Sequence, residues 1–252
     1  MHPLDASGRR VVVTGGTRGI GAAIARAFLN AGARVLVCGR TEPGSAVADF
    51  FRADVRDPEQ AAALIAAAVK QLGGIDVLIN NAGGAPPVSA NTASPRLHAK
   101  VIELNLLAPL HVSQAAYPVL RDQPGGGHII MIGSMSGARP SPGTAAYGAA
   151  KAGLHHLAGS LAMEWAPKIR VNTLVVGPVD TETHGPQVDP QAVARTVPMG
   201  RAAMPAEIAD ACLLLASPLA GYVSGAELAV HGGGEWPGYL ADPRTEAYPP
   251  QK

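Results

Sequence analysis

The sequence predicts an α/β protein: one parallel sheet of seven strands with helices on both faces. Two observations carry this. Seven short runs are almost wholly apolar, as strands buried on both faces are, and alanine-rich stretches of helical length separate them. Hydrophobic residues make up 47% of the 252-residue chain and charged ones only 15%, which suits a compact core and not a disordered chain.

In order, the strands are RRVVVT (9–14), ARVLVC (33–38), DFFRA (49–53), IDVLIN (75–80), HIIMIG (128–133), IRVNTLVV (169–176) and AELAV (226–230). Helices are expected near 19–31, 58–72, 95–121, 145–166 and 205–216. Strand–helix–strand crossovers of this kind are right-handed. The connection from Arg40 to Asp49 is short, and with Pro43 and Gly44 in it at most one helical turn fits. The last stretch, 236–252, has several prolines and no helical period. It reads as a tail that is disordered or laid against a neighbouring subunit, with Trp236, Tyr239 and Leu240 as the packing residues.

A formal net charge of +1 offers nothing to nucleic acid or to an anionic membrane surface. No run of eighteen apolar residues occurs, and the start lacks a basic leader followed by an apolar segment, so a cytoplasmic protein is expected. Cys38 and Cys212 fall in different elements and read as buried thiols.

After the first strand, TGGTRGIG places Gly15, Gly19 and Gly21 at a strand-to-helix turn, with Thr17, Arg18 and Ile20 between them. Glycines are needed there so that the backbone can turn sharply and a pyrophosphate can approach the helix N-terminus. Within a βαβ unit this is the cradle of a dinucleotide-binding, Rossmann-type doubly wound fold. The GK[ST] ending of a triphosphatase loop is missing.

With these residues the chain resembles the single-domain short-chain dehydrogenases/reductases. TGGTRGIG matches their T-G-x-x-x-G-x-G signature. Asp54–Val55, NNAG (80–83), Asn105, Ser134, YGAAK (147–151) and VGPVDT (176–181) follow in the family's order and spacing, over roughly 10–235. The resemblance implies one Rossmann-fold domain over 1–235 with strand order 3-2-1-4-5-6-7. It implies that Asp54 and Val55 lie by the adenine, and that Asn81, Ala82 and Gly83 pass beneath the ribose. Val179 and Thr181 would touch the nicotinamide carboxamide. One departure is Val176, where the family usually has proline, with Gly177 retained.

Tyr147 and Lys151 stand four positions apart and so share a helix face. Moving a tyrosine from pKa ~10 to ~7 takes about 4 kcal/mol of preferential phenolate stabilisation. A desolvated lysine together with an oxidised nicotinamide is a source of that size. Tyr147 is then expected to protonate a carbonyl oxygen as hydride arrives, and to accept that proton in the reverse direction. Ser134, at a strand end, would hydrogen-bond the same oxygen. By resemblance, Lys151 also holds the nicotinamide ribose and Asn105 holds a proton-relay water; Asn105 could equally be a helix-kink residue.

For the cofactor, the end of the second strand offers Gly39 and Arg40 without a carboxylate, and Arg18 projects from the cradle. Two guanidiniums can clamp a 2′-phosphate, which favours NADP(H), with NAD(H) as the alternative. The substrate is expected to be a small-molecule ketone or secondary alcohol on an apolar body. Its pocket is expected to be walled by 84–88, 135–140 and 183–198, with His184 as the polar candidate. No metal motif is present. Subunit pairing through helices over 109–121 and 145–166 would give a homotetramer or dimer, with His155 and His156 as surface or interface residues.

Two other functions are disfavoured by the sequence. A non-catalytic dinucleotide sensor should have lost the tyrosine, lysine or serine, and all three are present. The serines of GSMSG (133–137) and the run HGGG (231–234) suggest an α/β-hydrolase-like esterase, but Pro140 and Pro142 stand where a nucleophile elbow needs a helix immediately after its serine, and HGGG follows that serine instead of preceding it.

Overall fold

The computed structural model describes residues 4–44, 48–181 and 189–236. They form a seven-stranded, all-parallel sheet in the order β3-β2-β1-β4-β5-β6-β7. The strands are β1 (Arg10–Thr14), β2 (Arg34–Gly39), β3 (Asp49–Arg52), β4 (Val77–Asn80), β5 (Gly127–Ile132), β6 (Ile169–Val176) and β7 (Glu227–Val230). The helices are α1 (Gly19–Asn30), α2 (Pro58–Leu72), α3 (Pro95–Ile102), α4 (Ala108–Asp122), α5 (Met135–Ala138), α6 (Ala145–Glu164), α7 (Pro190–Thr196) and α8 (Pro205–Ala216).

Alternation along the strands builds two core layers. In β1, Val12 joins Leu78, Ile129 and Val171 under α2, α4 and α6, whereas Val11 and Val13 join Ile79, Ile130 and Leu174 under α1 and α8. Both layers are dry, which is why the strand sequences are apolar throughout. Cys38 and Cys212 are buried in them as expected, and burial pushes the Cys38 thiol up to about 12.

The sheet order reverses at β1, whose neighbours are β2 and β4. Chains leaving β1 and β4 therefore diverge, and the crevice between them at the C-terminal edge is where such folds bind ligands.

The stretch read as one helix over 95–121 is interrupted. A π-helical segment, Glu103–Leu107, separates α3 from α4, and the Ala108 amide reaches back five residues to Glu103. Pro109 explains the widening, since it has no amide to give the carbonyl of Asn105. Two further short helices, α5 and α7, lie where the sequence showed only loop signals. Val176 continues β6 to its end, opposite Val230, and the chain leaves the sheet after Gly177, so the missing proline costs the loop nothing.

Candidate active site

At the β1–α1 turn the backbone folds back on itself. Gly15 and Gly19 have φ of 63° and 52°, and a Cβ on Gly21 would fall 2.3 Å from the Gly15 carbonyl oxygen. Only glycines allow that approach. Asn81 and Thr14 brace the turn. The Asn81 amide nitrogen donates to the Thr14 and Gly15 carbonyls at 2.9 and 3.1 Å. The buried Thr14 hydroxyl accepts the backbone N–H of Asn81 and of Ala82, both at 3.0 Å. Thr14 thus joins the site, although the sequence reading did not assign it a role. α1 begins with no capping side chain and no acid in its first turn. By contrast, α2 is capped by Asp57 and closed by Gly73 in the left-handed conformation. The first amides of α1 are left for an anion.

The catalytic candidates converge across the crevice. β5 ends at Ile132, and Ser134 begins the one-turn helix α5, its Oγ accepting the Ser136 amide at 3.2 Å. α6 brings Tyr147 and Lys151 alongside. Lys151 is 3% exposed, its Nζ donates to the Ile132 carbonyl at 2.8 Å, and it stands 5.7 Å from the Tyr147 ring centre. Burial lowers the lysine to about 8.

The lowered tyrosine pKa is expected from Lys151 together with an oxidised nicotinamide; in the protein alone, burial raises Tyr147 above its ordinary value, and a hydrogen bond with Ser134 opposes that only in part. The lysine ammonium donates to a main-chain carbonyl and sits over the ring.

Asn105 lies in the π segment, fully buried. Its Oδ1 accepts the Gly84 amide at 2.8 Å, and its Nδ2 donates to the carbonyls of Gly84 and Val101 at 2.9 Å each. Kink and site placement, posed as alternatives from sequence, fall on the same residue. Gly83 fits between Asn105 and Lys151: a Cβ there would lie 2.8 Å from Asn105 Oδ1 and 3.3 Å from Lys151 Nζ.

Comparison with known proteins identifies the family. A family model described as enoyl-(acyl carrier protein) reductase matches residues 15–235. An uncharacterized oxidoreductase of Mycobacterium tuberculosis is 36% identical over 90% of this chain and 92% of its own. A 3alpha-hydroxysteroid dehydrogenase of Mediterraneibacter gnavus is 35% identical over 88% and 94%. The ligand-free aldohexose dehydrogenase of Thermoplasma acidophilum superposes with a TM-score of 0.85, at 30% identity over 91% of this chain and 94% of that one. The chain belongs to the short-chain dehydrogenase/reductase family. It is an oxidoreductase of that family, acting on CH–OH groups with a nicotinamide dinucleotide.

Its residues fit such a cofactor. Asp54 borders the crevice near Arg40, hydrogen-bonded by Arg56, which holds its carboxyl below the ordinary range, with Arg40 adding to the effect. Val55 beside it is buried. A Cβ on Gly39 would come within 3.2 Å of Thr17, so the end of β2 has little room for a carboxylate. Arg18 and Arg40 are exposed. Val179 is held by a parallel bridge to Ala203, with the Asp180 amide on the Ala203 carbonyl at 2.9 Å, which sets the path of the loop to Thr181.

One expectation about the surroundings changes: His155, expected at the surface or an interface, is 5% exposed, while His156 is exposed as expected. Trp236 gives its backbone amide to the Thr196 carbonyl, 2.8 Å away. Beside the site, Arg139 pairs with Glu235 at 2.5 Å. His184, Tyr239 and Leu240 lie outside the described residues. A hollow of about 690 Å³ between the N-terminal segment, α1 and α8 shares no residue with this site.

Proposed function

We propose that this chain interconverts a ketone and a secondary alcohol with Tyr147 as the group that gives and takes the hydroxyl proton. When bound, the dinucleotide supplies or accepts the hydride. The observation that carries the reading is the meeting of Ser134, Tyr147 and Lys151 from β5 and α6 at one end of the crevice. The Tyr147 phenol, kept protonated by burial, is suited to donate to a carbonyl oxygen. Ser134 orients that oxygen. Lys151 binds the nicotinamide ribose and places a positive charge behind the ring. Asn105 holds the turn at Gly84 and, through the widened helix, a water that refills the proton.

The same reading assigns Gly15, Thr17, Arg18, Gly19, Ile20, Gly21, Asp54, Val55, Asn81, Ala82, Gly83, Val179 and Thr181 to cofactor binding. NADP(H) is favoured because Arg18 and Arg40 flank the β2 end where Gly39 leaves no acid. The substrate is a ketone or secondary alcohol on an apolar body. We take the working unit to be a homotetramer or dimer in the cytoplasm, with exposed Ile102, Leu107 and Met163 near the pairing helices in support. A panel of carbonyls and alcohols, followed at the reduced-nicotinamide absorbance with both cofactors, tests the reading. Turnover is expected with at least one ketone or secondary alcohol, and binding of dinucleotide without turnover would favour a sensor.

A further inference from the structure

His155 is a buried histidine for which the reaction above has no use. It lies one turn beyond Lys151 on α6. Its Nε2 accepts the backbone N–H of Ser134 at 3.2 Å, and its Nδ1 faces the Glu227 carboxylate of β7 at 3.5 Å. Together the contacts fix the tautomer: Nε2 accepts and is bare, so Nδ1 carries the proton and points at the acid. Glycines make the space for the ring. A Cβ on Gly133 would fall 2.4 Å from Nε2, and one on Gly137 would fall 3.0 Å from Cε1. The backbone on both sides of Ser134 is therefore pressed onto the imidazole. Ser134 itself lies beyond the end of β5, and His155 provides the acceptor for its amide.

We propose that His155 is a positioning residue: as a neutral imidazole steadied by Glu227 it holds the Ser134 main chain in place, and protonation of the ring undoes that hold. The inference rests on the catalytic reading of Ser134 and Tyr147. Its physical basis is simple. An imidazolium bears N–H on both nitrogens, so the Ser134 amide would face a donor where it now meets an acceptor.

The charged groups acting on the ring are Glu227 from β7 and Lys151 from α6 itself. The β5–α5 side presents the backbone of Gly133, Ser134 and Gly137. Burial disfavours the imidazolium, Glu227 favours it and Lys151 opposes it; the balance lies below the ordinary histidine value. The hold is thus intact at neutral pH and lost in acid.

The test uses the full chain with a turned-over ketone. Tyr147→Phe is measured first, so that failure of the underlying reading is seen separately. His155→Leu removes the acceptor, and His155→Gln replaces it with a neutral amide oxygen that does not titrate. We expect His155→Leu to lower kcat about 10- to 100-fold with KM changed less than about 3-fold, the scale of a misplaced catalytic group. His155→Gln should restore most of that loss and flatten the acid limb of the reductive pH profile. In that direction Tyr147 is needed protonated, so an acid limb reports another group. If His155→Leu does not fold, Glu227→Gln decides. Removing the carboxylate removes the influence that favours the imidazolium, so the acid limb should move to lower pH. Equal impairment in the Leu and Gln variants, wild-type kcat in His155→Leu, or an unmoved limb in Glu227→Gln would each overturn the proposal.

Discussion

The Lys151 ammonium donates to the main-chain carbonyl of Ile132 at 2.8 Å while lying 5.7 Å from the centre of the Tyr147 ring. The strand that ends before Ser134 thus also anchors the lysine beside the serine and tyrosine. Burial of the ammonium there makes it easier to discharge.

A pH dependence follows. Burial lowers Lys151 to about 8, so the charged form, to which the proposed function gives the ribose and the support of the phenol, is lost above that pH. The value of kcat/KM for the dinucleotide, which reports the free enzyme, should fall above about pH 8. A profile flat to pH 10, on the ordinary lysine scale of about 10.4, would mean that the ammonium is better solvated than its burial implies.

The cradle makes a steric prediction. Gly21→Ala puts a methyl group 2.3 Å from the Gly15 carbonyl oxygen, so the turn must open. Dinucleotide affinity, titrated by reduced-nicotinamide fluorescence, should fall at least ~10-fold, or ~1.4 kcal/mol. Gly125→Ala, where a Cβ meets nothing within 4 Å, is the control and should bind as the parent does.

On the proposed NADP(H) reading, cofactor choice rests on Arg40, which is exposed and near Asp54. Arg40→Asp exchanges a phosphate-binding charge for a hydroxyl-binding one. The ratio of kcat/KM for NADP(H) over NAD(H) should drop by about 10- to 100-fold, the worth of one or two charged hydrogen bonds. An unchanged ratio would remove Arg40 from the recognition of the 2′-phosphate.

Asn105→Ala deletes three buried side-chain hydrogen bonds, two of them to the backbone of Gly84. Stability measured by urea unfolding should fall by about 1–3 kcal/mol, and turnover with it, because the Gly83–Gly84 turn loses its fastening. Full stability and full activity together would assign that turn's position to something else.

The sheet was legible in the sequence because its strands are buried on both faces. Apolar runs such as HIIMIG and IRVNTLVV leave no other reading once helices separate them, and boundaries agree to within two residues. The glycine cradle was legible because steric need selects one residue type. Other features depend on contacts distant in sequence. His155 lies in an alanine-rich helical run with no polarity contrast to place it, and only the packing of α6 on β5 and β7 shows it to be buried against Ser134 and Glu227. The π segment has one local sign, Pro109 four residues after Asn105, which a helical-period reading passes over. The Arg139–Glu235 pair joins residues 96 apart, and no local pattern encodes it. The helix spacing brings Lys151 near Tyr147, but the bond of its ammonium to the Ile132 carbonyl joins residues 19 apart and has no local sequence sign.

The most direct test is the turnover of Tyr147→Phe against the parent, with the same ketone, cofactor and pH, and with dinucleotide affinity measured alongside. Loss of the single hydroxyl should lower kcat by about 10²- to 10⁴-fold while the dinucleotide still binds. A variant that reduces the ketone at the parent's rate would contradict the assignment of Tyr147 as the proton donor.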